Sequence, residues 1–85
     1  MTQTVTASEL KSWLTDRVAS YVRRPAGEIA GDRALADFGL DSVYTLTLAA
    51  DIEDHLNLSL DPTVMWDHPT IDALTKVLHK MSAAR

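Results

Sequence analysis

The sequence contains no cysteine, which excludes a disulfide framework and a zinc site built from thiolates. The chain therefore has no thiol of its own for covalent chemistry. No apolar run approaches the roughly 20 residues that a membrane-spanning helix needs, and no signal-peptide pattern opens the sequence. These absences favour a soluble cytoplasmic protein with no membrane partner.

Basic residues are missing from the middle of the chain. Between Arg33 and Lys76 there is no lysine or arginine, although the net charge of the whole chain is only −4. The acids in that stretch are Asp37, Asp41, Asp51, Glu53, Asp54, Asp61, Asp67 and Asp72. A field of one sign repels nucleic acid and attracts basic protein surfaces. A merely solvated surface is the alternative, and charge alone does not separate the two.

The length and composition predict one domain. A chain of 85 residues can hold a single apolar core, and its hydrophobic share of 46% is typical of globular proteins. We expect one domain over residues 1–85, present as a monomer. Met1 and the short ends indicate a discrete protein, although an excised domain with an added start would look the same.

Periodic apolar residues predict four helices, the first of which has clear ends. Thr6 and Glu9 form a capping box at its start. Arg23 and Arg24 suit a helix C-terminus, and Pro25 ends the helix. The apolar stripe at helical spacing is Leu10, Trp13, Leu14, Val18, Tyr21 and Val22.

A long connection over residues 25–40 separates the first two helices. Its predicted core-facing residues are Ile29, Leu35 and Phe38. The second helix is predicted to begin at Asp41 or Ser42 and to run to about Leu56. Asn57 suits the left-handed position that follows a helix.

The last two helices are predicted from position 61 onward. The short third helix starts near Asp61-Pro62 and ends at His68-Pro69, and Thr70 caps the fourth helix. Their apolar residues are Val64 and Trp66 on the third helix, and Ile71, Leu74, Val77, Leu78 and Met81 on the fourth. No strand pattern alternates convincingly. The fold class is therefore all-α, a four-helix bundle with a short third helix and a long loop between helices 1 and 2.

The second helix has two apolar faces on a helical wheel. The predicted core face is Thr45, Leu48, Ala49, Ile52 and Leu56. A shorter strip, called here the outer strip, is Val43, Leu46 and Ala50. The remaining face holds Tyr44, Thr47, Asp51 and Asp54, and Glu53 borders the outer strip. Because a bundle helix buries only one face, the outer strip suits a docking surface for a basic partner. Cover by the third helix or the long loop is the alternative.

Ser42 has three interpretations. It is a helix cap, since serine ranks high at that position. Alternatively, it is a nucleophile with a histidine base. In the third interpretation, it is an attachment point, since a phosphate carried in the first turn of a helix meets free N–H groups and the positive end of the dipole.

The nucleophile interpretation finds little support. The G-x-S-x-G pattern is absent around Ser42, and the histidines, His55, His68 and His79, are scattered over helix ends and a loop. The same scatter gives no pair at helical metal-ligand spacing. We therefore expect no catalytic residue and no metal site.

Two motifs then resemble those of acyl carrier proteins. Gly39-Leu40-Asp41-Ser42 followed by an apolar residue resembles the prosthetic-group attachment motif of that family. The segment over residues 64–71, Val-Met-Trp-Asp-His-Pro-Thr-Ile, is similar to the phenylalanine-aspartate-x-proline-threonine segment of polyketide-synthase carrier domains. The order and spacing of the predicted helices match as well, so the resemblance covers nearly the whole chain.

The resemblance implies a non-catalytic carrier for polyketide or fatty-acyl biosynthesis. A phosphopantetheinyl transferase would use coenzyme A and magnesium to place 4′-phosphopantetheine on Ser42, with Asp41 orienting the transferase and the metal. The thiol of that arm would carry acyl groups as thioesters. Later partners would be ketosynthase, acyltransferase or acyl-activating enzymes. The partner-recognition residues implied are Val43, Leu46, Ala50, Glu53 and Asp54.

The chain also departs from the family pattern in ways that bear on its partners. Val43 replaces the usual leucine after the serine, and Thr47 stands where many relatives have glutamate. Ala49 and Asp51 occupy positions where modular polyketide carriers often have arginines. Two alternatives stay open: a peptidyl carrier of nonribosomal peptide synthesis, and an unmodified helical module that docks through the outer strip.

Overall fold

The computed structural model describes residues 6–83, which form a bundle of helices around one core. The helices are α1 (Ala7–Val22), α2 (Ser42–Leu56), α3 (Thr63–Asp67) and α4 (Ile71–Ala83), with 3-10 turns at Ala26–Glu28 and Leu35–Phe38. Within this range there is no strand beyond an isolated bridge between Ala34 and Thr70. The all-α prediction is thus confirmed. The prediction of one domain over 1–85, and of a discrete chain from Met1, extends to residues outside the described range.

The ends of α1 follow from local hydrogen bonds. The Thr6 hydroxyl accepts from the Glu9 N–H at 3.1 Å and donates to the Glu9 carboxylate at 3.1 Å. At the other end, Arg23 adopts the left-handed conformation (φ 57°), and the N–H groups of Arg23 and Arg24 both bond to the Ala19 carbonyl. The predicted cap and end of α1 are therefore confirmed.

The core lies where α1 and α4 pack together against the inner face of α2. The predicted stripes supply most of its buried residues, among them Leu10, Leu14, Val18, Leu48, Ile52, Ile71, Leu74 and Leu78. The larger or more peripheral members of the stripes are only partly buried, namely Trp13, Tyr21, Val22, Val77 and Met81. Within residues 6–83, no helix is both long and apolar enough to cross a membrane.

The long connection packs its own side chains and is tied to the start of α4. Ile29 and Leu35 are buried, and Phe38 packs partly against the core. The Leu35 N–H donates to the Pro69 carbonyl at 2.8 Å. These contacts explain how a loop of this length is ordered without regular structure, and they set one wall beside the start of α2.

Gly31 lies in close contact with the start of α4. The Asp72 N–H donates to the Gly31 carbonyl at 2.9 Å, and the Asp72 carboxylate pairs with Lys11 Nζ at 2.9 Å. A Cβ atom at Gly31 would lie 2.5 Å from an Asp72 carboxylate oxygen. A side chain at this position would therefore displace the Asp72 carboxylate and disturb its ion pair with Lys11.

Helix α3 differs from its prediction in the residue that it buries. The sequence singled out Val64 and Trp66 as its apolar residues, but the one buried residue is Met65, while Trp66 is 55% exposed. A helix of little more than one turn directs few side chains to the core, and Val64 packs only partly against it. Pro62 is the N-cap, in agreement with the predicted start near Asp61-Pro62.

The capping function at α3 is supplied by Asp61. Its carboxylate accepts from both the N–H and the hydroxyl of Thr63, each at 3.0 Å. These hydrogen bonds, first that of the backbone, lower the pKa of Asp61.

Candidate functional site

Asp41, not Ser42, caps helix α2. The Asp41 carboxylate accepts from the Tyr44 N–H at 3.0 Å, and its carbonyl accepts from the N–H and hydroxyl of Thr45, each at 2.9 Å. Ser42 is the first residue inside the helix. It is exposed, and its hydroxyl makes no hydrogen bond to residues 6–83. The interpretation of Ser42 as the cap is thus wrong, because the neighbouring carboxylate reaches the N–H that a cap would take.

The first turn of α2 retains free hydrogen-bond donors. The N–H groups of Ser42 and Val43 lie at the start of the helix, where no earlier helical carbonyl can accept from them. No other group in the described part of the chain accepts from them either. Because these donors lie at the positive end of the helix dipole, a phosphodiester on the Ser42 oxygen would be stabilised there.

A groove of about 300 Å³ begins beside Ser42. It lies between the loop before α2, the start of α2 and helix α3, and its walls include Ala34, Ala36, Leu40, Thr45, Trp66 and Pro69. Ala34 and Ala36 line the groove from the loop, and Trp66 lines it from α3. An exposed, unpartnered hydroxyl with free N–H groups and an open groove beside it fits a long phosphate-linked arm.

The outer strip of α2 remains uncovered. Val43 is 69% exposed, Leu46 is 49% exposed, and Ala50 is exposed as well. Neither α3 nor the long loop buries these side chains, so the alternative of internal cover is wrong. On the side nearest α3, Leu46 lines a notch together with Trp66.

The predicted core face of α2 is confirmed, except at its start. Leu48, Ala49, Ile52 and Leu56 are buried, whereas Thr45 is half-buried. On the remaining face of α2, Asp51 makes a polar contact with α1. The helical wheel did not indicate this contact.

That contact is centred on the Asp51 carboxylate. Arg17 Nη2 donates to Asp51 Oδ2 at 2.8 Å, and the Tyr21 hydroxyl donates to the same oxygen. Burial alone would raise the pKa of Asp51, but the hydrogen bonds from Tyr21 and Arg17 outweigh it and lower that pKa. Burial and the Asp51 contact raise the pKa of Tyr21. The Asp51 carboxylate therefore binds two residues of α1 within the domain.

Aromatic rings extend the contact between α1 and α2 in both directions. Trp13 stacks on His55 with ring centroids 4.1 Å apart and an interplanar angle of 5°. Tyr21 approaches Tyr44 at 5.8 Å, and the Arg17 guanidinium lies over the Trp13 ring at 6.0 Å. Sequence reasoning placed Trp13 and Tyr21 in an apolar stripe and did not identify Arg17. The available signal was a cation one helical turn from each of two aromatic residues on α1.

The neighbouring acids Glu53 and Asp54 are in different situations. Glu53 is half-buried, and its Oε2 accepts from the Leu60 N–H at 2.8 Å. Asp54 is exposed and makes no hydrogen bond or ion pair with any described residue. One of the two predicted partner-binding acids therefore also holds the chain that follows α2.

The histidines do not gather around Ser42. His55 stacks on Trp13, His68 is the C-cap of α3, and His79 lies on α4. None of them lines the groove beside Ser42. Among residues 6–83 there is no group of three or more metal-binding side chains.

Comparisons with known proteins agree with this site. The family model described as "Phosphopantetheine attachment site" matches residues 12–78. A 6-methylsalicylic acid synthase of Penicillium expansum is 37% identical over 70 residues, which are 78% of this chain but 4% of that protein. The chain thus spans only a small part of this curated relative.

Solved structures of similar size match over nearly their whole length. The acyl carrier protein LipD from Actinoplanes friuliensis is 46% identical, with a TM-score of 0.79 and coverage of 100% of this chain and 98% of that one. A free-standing peptidyl carrier protein from Acinetobacter baumannii is 33% identical, with a TM-score of 0.82 and coverage of 93% and 96%. The chain therefore belongs to the phosphopantetheine-attachment family, as a helical carrier domain that carries 4′-phosphopantetheine covalently and is similar to the acyl carrier domains of polyketide synthases.

Proposed function

We propose that Ser42 is the attachment residue of this carrier. The Ser42 oxygen attacks the phosphorus of coenzyme A that bears the pantetheine, forms a phosphodiester and loses its proton, and adenosine 3′,5′-bisphosphate departs. A phosphopantetheinyl transferase catalyses the step, for which the carrier is the substrate. The observation that carries the proposal is the Ser42 hydroxyl itself, which is exposed and makes no hydrogen bond within residues 6–83, while Asp41 performs the capping.

Asp41 serves both the helix and the transferase in this proposal. One carboxylate oxygen accepts from the Tyr44 N–H at 3.0 Å. The other makes no hydrogen bond within the described residues, so a negative charge adjoins the reacting hydroxyl. It is suited to orient the transferase and its magnesium ion.

The partner surface that we propose is the outer strip with its acidic border. Val43, Leu46 and Ala50 supply exposed apolar area next to Ser42. Asp54 supplies charge, and Glu53 lies beside the strip. Because no lysine or arginine occurs between Arg33 and Lys76, a basic enzyme surface meets no repulsion there.

Carrier domains of this family are generally non-catalytic and work with synthase enzymes. We propose that this one receives acyl groups on the thiol of its arm in the cytoplasm, where coenzyme A is available. It would present them as a monomer to ketosynthase, acyltransferase or acyl-activating enzymes. The relationship to 6-methylsalicylic acid synthase favours polyketide assembly.

A second candidate function is that of a peptidyl carrier. It is supported by the similarity to the peptidyl carrier of Acinetobacter baumannii, at 33% identity. The two are separated by offering the modified chain both malonyl-coenzyme A with an acyltransferase and an amino acid with an adenylating enzyme. Loading from the acyltransferase alone supports the acyl carrier.

Intact-protein mass spectrometry tests the attachment site. Incubation with coenzyme A, magnesium and a broad-specificity transferase is expected to add one phosphopantetheine to the chain. Ser42→Ala is expected to abolish the addition. Ser59→Ala, at an exposed serine in the segment after α2, is the matched control and should be modified as wild type. Addition that persists in Ser42→Ala would refute the assignment.

A further inference from the structure

A further concave surface, called here the α4 groove, lies along helix α4. It has a volume of about 460 Å³ and reaches His68, the C-cap of α3. Its lining consists of His68, Asp72, Ala73, Lys76, Val77 and Lys80. None of these residues belongs to the outer strip of α2 or lines the groove beside Ser42. The α4 groove is therefore separate from the proposed attachment site.

The apolar part of the α4 groove has the spacing of a helical ridge. Ala73 and Val77 lie one turn apart, and both are half-buried. The bundle buries the neighbouring positions Ile71, Leu74 and Leu78 instead. Rows of residues four apart are the ridges on which a second helix packs. Because Ala73 has only one side-chain carbon, the row leaves room for a larger side chain from a partner.

The uncompensated charge of the α4 groove is positive. Lys76 and Lys80 are exposed and make no hydrogen bond or ion pair with any described residue. Four residues of helix separate them by about 6 Å along the axis. The one acid in the lining, Asp72, is paired with Lys11 Nζ at 2.9 Å. Two free lysines therefore border an apolar row on the same helix.

The charge of the α4 groove is opposite to that of most of the chain. After Arg33 the only lysines and arginines are Lys76, Lys80 and Arg85, and the net charge of the chain is −4. Three of the earlier cations pair with acids of the chain, namely Lys11, Arg17 and Arg33. An acidic partner is therefore repelled by the acid-rich middle of the chain and attracted to α4. Charge complementarity selects both the partner and its position.

We propose that the α4 groove binds an acidic amphipathic helix of a partner protein. Apolar side chains of that helix pack on Ala73 and Val77, and two of its carboxylates, one turn apart, meet Lys76 and Lys80. The inference goes beyond the proposed function, because it involves neither Ser42 nor the outer strip. A carrier held through α4 leaves its attachment end accessible to a second enzyme.

Nuclear magnetic resonance titration of the full chain tests occupancy of the α4 groove. The probe is a helical peptide of about 18 residues with leucine along one face and glutamate beside it. It is expected to shift the backbone N–H signals of Ala73 and Val77 and to leave those of Val43 and Leu46 in place. The same peptide with lysine for glutamate is the control and should not move Ala73 or Val77. Groove signals that stay unchanged up to the solubility limit of the acidic peptide would overturn the proposal.

Charge reversal tests the two lysines. Lys76→Glu and Lys80→Glu are each expected to raise the dissociation constant of the acidic peptide about fivefold at low salt, because an exposed ion pair becomes a like-charge contact. The difference from wild type should shrink as salt is added. Arg24→Glu changes the net charge equally at an exposed residue outside the groove and should stay within about twofold of wild type. Equal losses in all three variants would refute a localised site.

Ala73→Leu tests the shape of the α4 groove without changing its charge. The larger side chain occupies the space between helix and partner, so the dissociation constant should rise about tenfold at low and at high salt. Circular dichroism during thermal unfolding verifies that the variant is folded. Unchanged affinity in folded Ala73→Leu would show that the peptide binds through charge alone, which contradicts the proposed packing.

Two further measurements separate the partner helix from other occupants. Sedimentation with anionic phospholipid vesicles is expected to leave the chain in solution, and lysine-dependent binding to vesicles but not to the acidic peptide would assign the surface to lipid. Phosphopantetheine transfer to Lys80→Glu should proceed as in wild type, since no groove residue adjoins Ser42. Impaired transfer would place α4 in transferase docking and overturn the assignment. Absence of transfer to the wild-type chain would instead contradict only the proposed function.

Discussion

The inner and outer sides of helix α2 differ in whether their side chains are used inside the domain. On the inner side, facing α1 and the core, Leu48 is fully buried and Asp51 is bound by Arg17 and Tyr21. On the outer side, Leu46 is half-exposed and Asp54 has no partner among the described residues. One helix thus carries a buried and an exposed leucine. It also carries one aspartate that is bound within the domain and one that has no partner among the described residues.

The same contrast occurs at the start of α2, between adjacent residues. Asp41 closes the helix through its carboxylate, whereas the Ser42 hydroxyl makes no hydrogen bond with residues 6–83. Groups that hold the fold cannot change partners without a cost, while unengaged groups are available to another molecule. The comparison therefore separates residues that maintain the carrier from residues that serve its function, and it can be tested pair by pair.

The leucine pair should give the largest difference in stability. Leu48→Ala, like Ile52→Ala, is expected to lower the free energy of unfolding by about 2–5 kcal/mol, because a cavity forms in a closed core. Leu46→Ala removes a half-exposed side chain and should cost much less. Urea denaturation followed by circular dichroism measures all three. Equal losses at positions 46 and 48 would mean that the two sides of α2 are not distinct.

The aspartate pair should give the next difference. Asp51→Asn weakens the hydrogen bonds from Arg17 and Tyr21 and is expected to destabilise the domain by about 1–3 kcal/mol. Asp54→Asn should stay within about 0.5 kcal/mol of wild type, as is usual for a surface change. Thermal unfolding in the same buffer compares the two variants. A comparable loss in Asp54→Asn would contradict its description as free.

The pH dependence of stability sharpens the assignment of Asp51 and Tyr21. The folded pKa of Asp51 is lowered from its ordinary value of 3.8, so its contribution is present above that pH and is lost as pH falls through the lowered value. The folded pKa of Tyr21 is raised from 10.0, so its contribution is complete below pH 10 and is lost as pH rises through the raised value.

Two variants separate the loss of stability in acid from the loss in alkali. Relative to wild type, Asp51→Asn should flatten the loss of unfolding free energy in acid, and Tyr21→Phe should flatten the loss in alkali. Unfolding free energies measured across both pH ranges provide the check. If the wild-type and variant curves run parallel in both ranges, folding does not shift the pKa of Asp51 or of Tyr21.

Asp41, the cap, and Ser42, the proposed attachment residue, should give the smallest difference in stability. Asp41→Ala is expected to cost about 1 kcal/mol, the usual effect of removing a helix cap. Ser42→Ala should change the free energy of unfolding by less than about 0.5 kcal/mol, because its hydroxyl contributes no bond to the fold. Thermal unfolding measures both. A loss at Ser42 as large as that at Asp41 would indicate that the serine has a structural role.

Most of the helix pattern was predictable because its signals are local. The predicted cap at Thr6, the start of α2 at Asp41-Ser42 and the left-handed Asn57 all match the structure. In each case the interacting groups lie within about one helical turn along the chain, so the sequence window contains both partners. The motif Gly39-Leu40-Asp41-Ser42 was recognisable for a different reason, its resemblance to that of acyl carrier proteins.

The polar contacts between helices were not predictable. Arg17 and Asp51 are 34 residues apart, and Tyr21 and Asp51 are 30 apart. Their approach depends on the relative rotation of α1 and α2, which a helical wheel of α2 alone does not contain. For the same reason, Trp66 was grouped with the apolar residues of α3 without any indication that it would be exposed beside Leu46.

The sequence by itself determined the number and ends of the helices, the core stripes and the serine at the start of α2, because these follow from spacing and from interactions within a turn. Only the tertiary structure decided which acids are engaged and which are free, because a carboxylate is satisfied by whatever donor the packing of another segment brings to it. Asp51 met Arg17 and Tyr21, Glu53 met the Leu60 N–H, and Asp54 met no donor within residues 6–83.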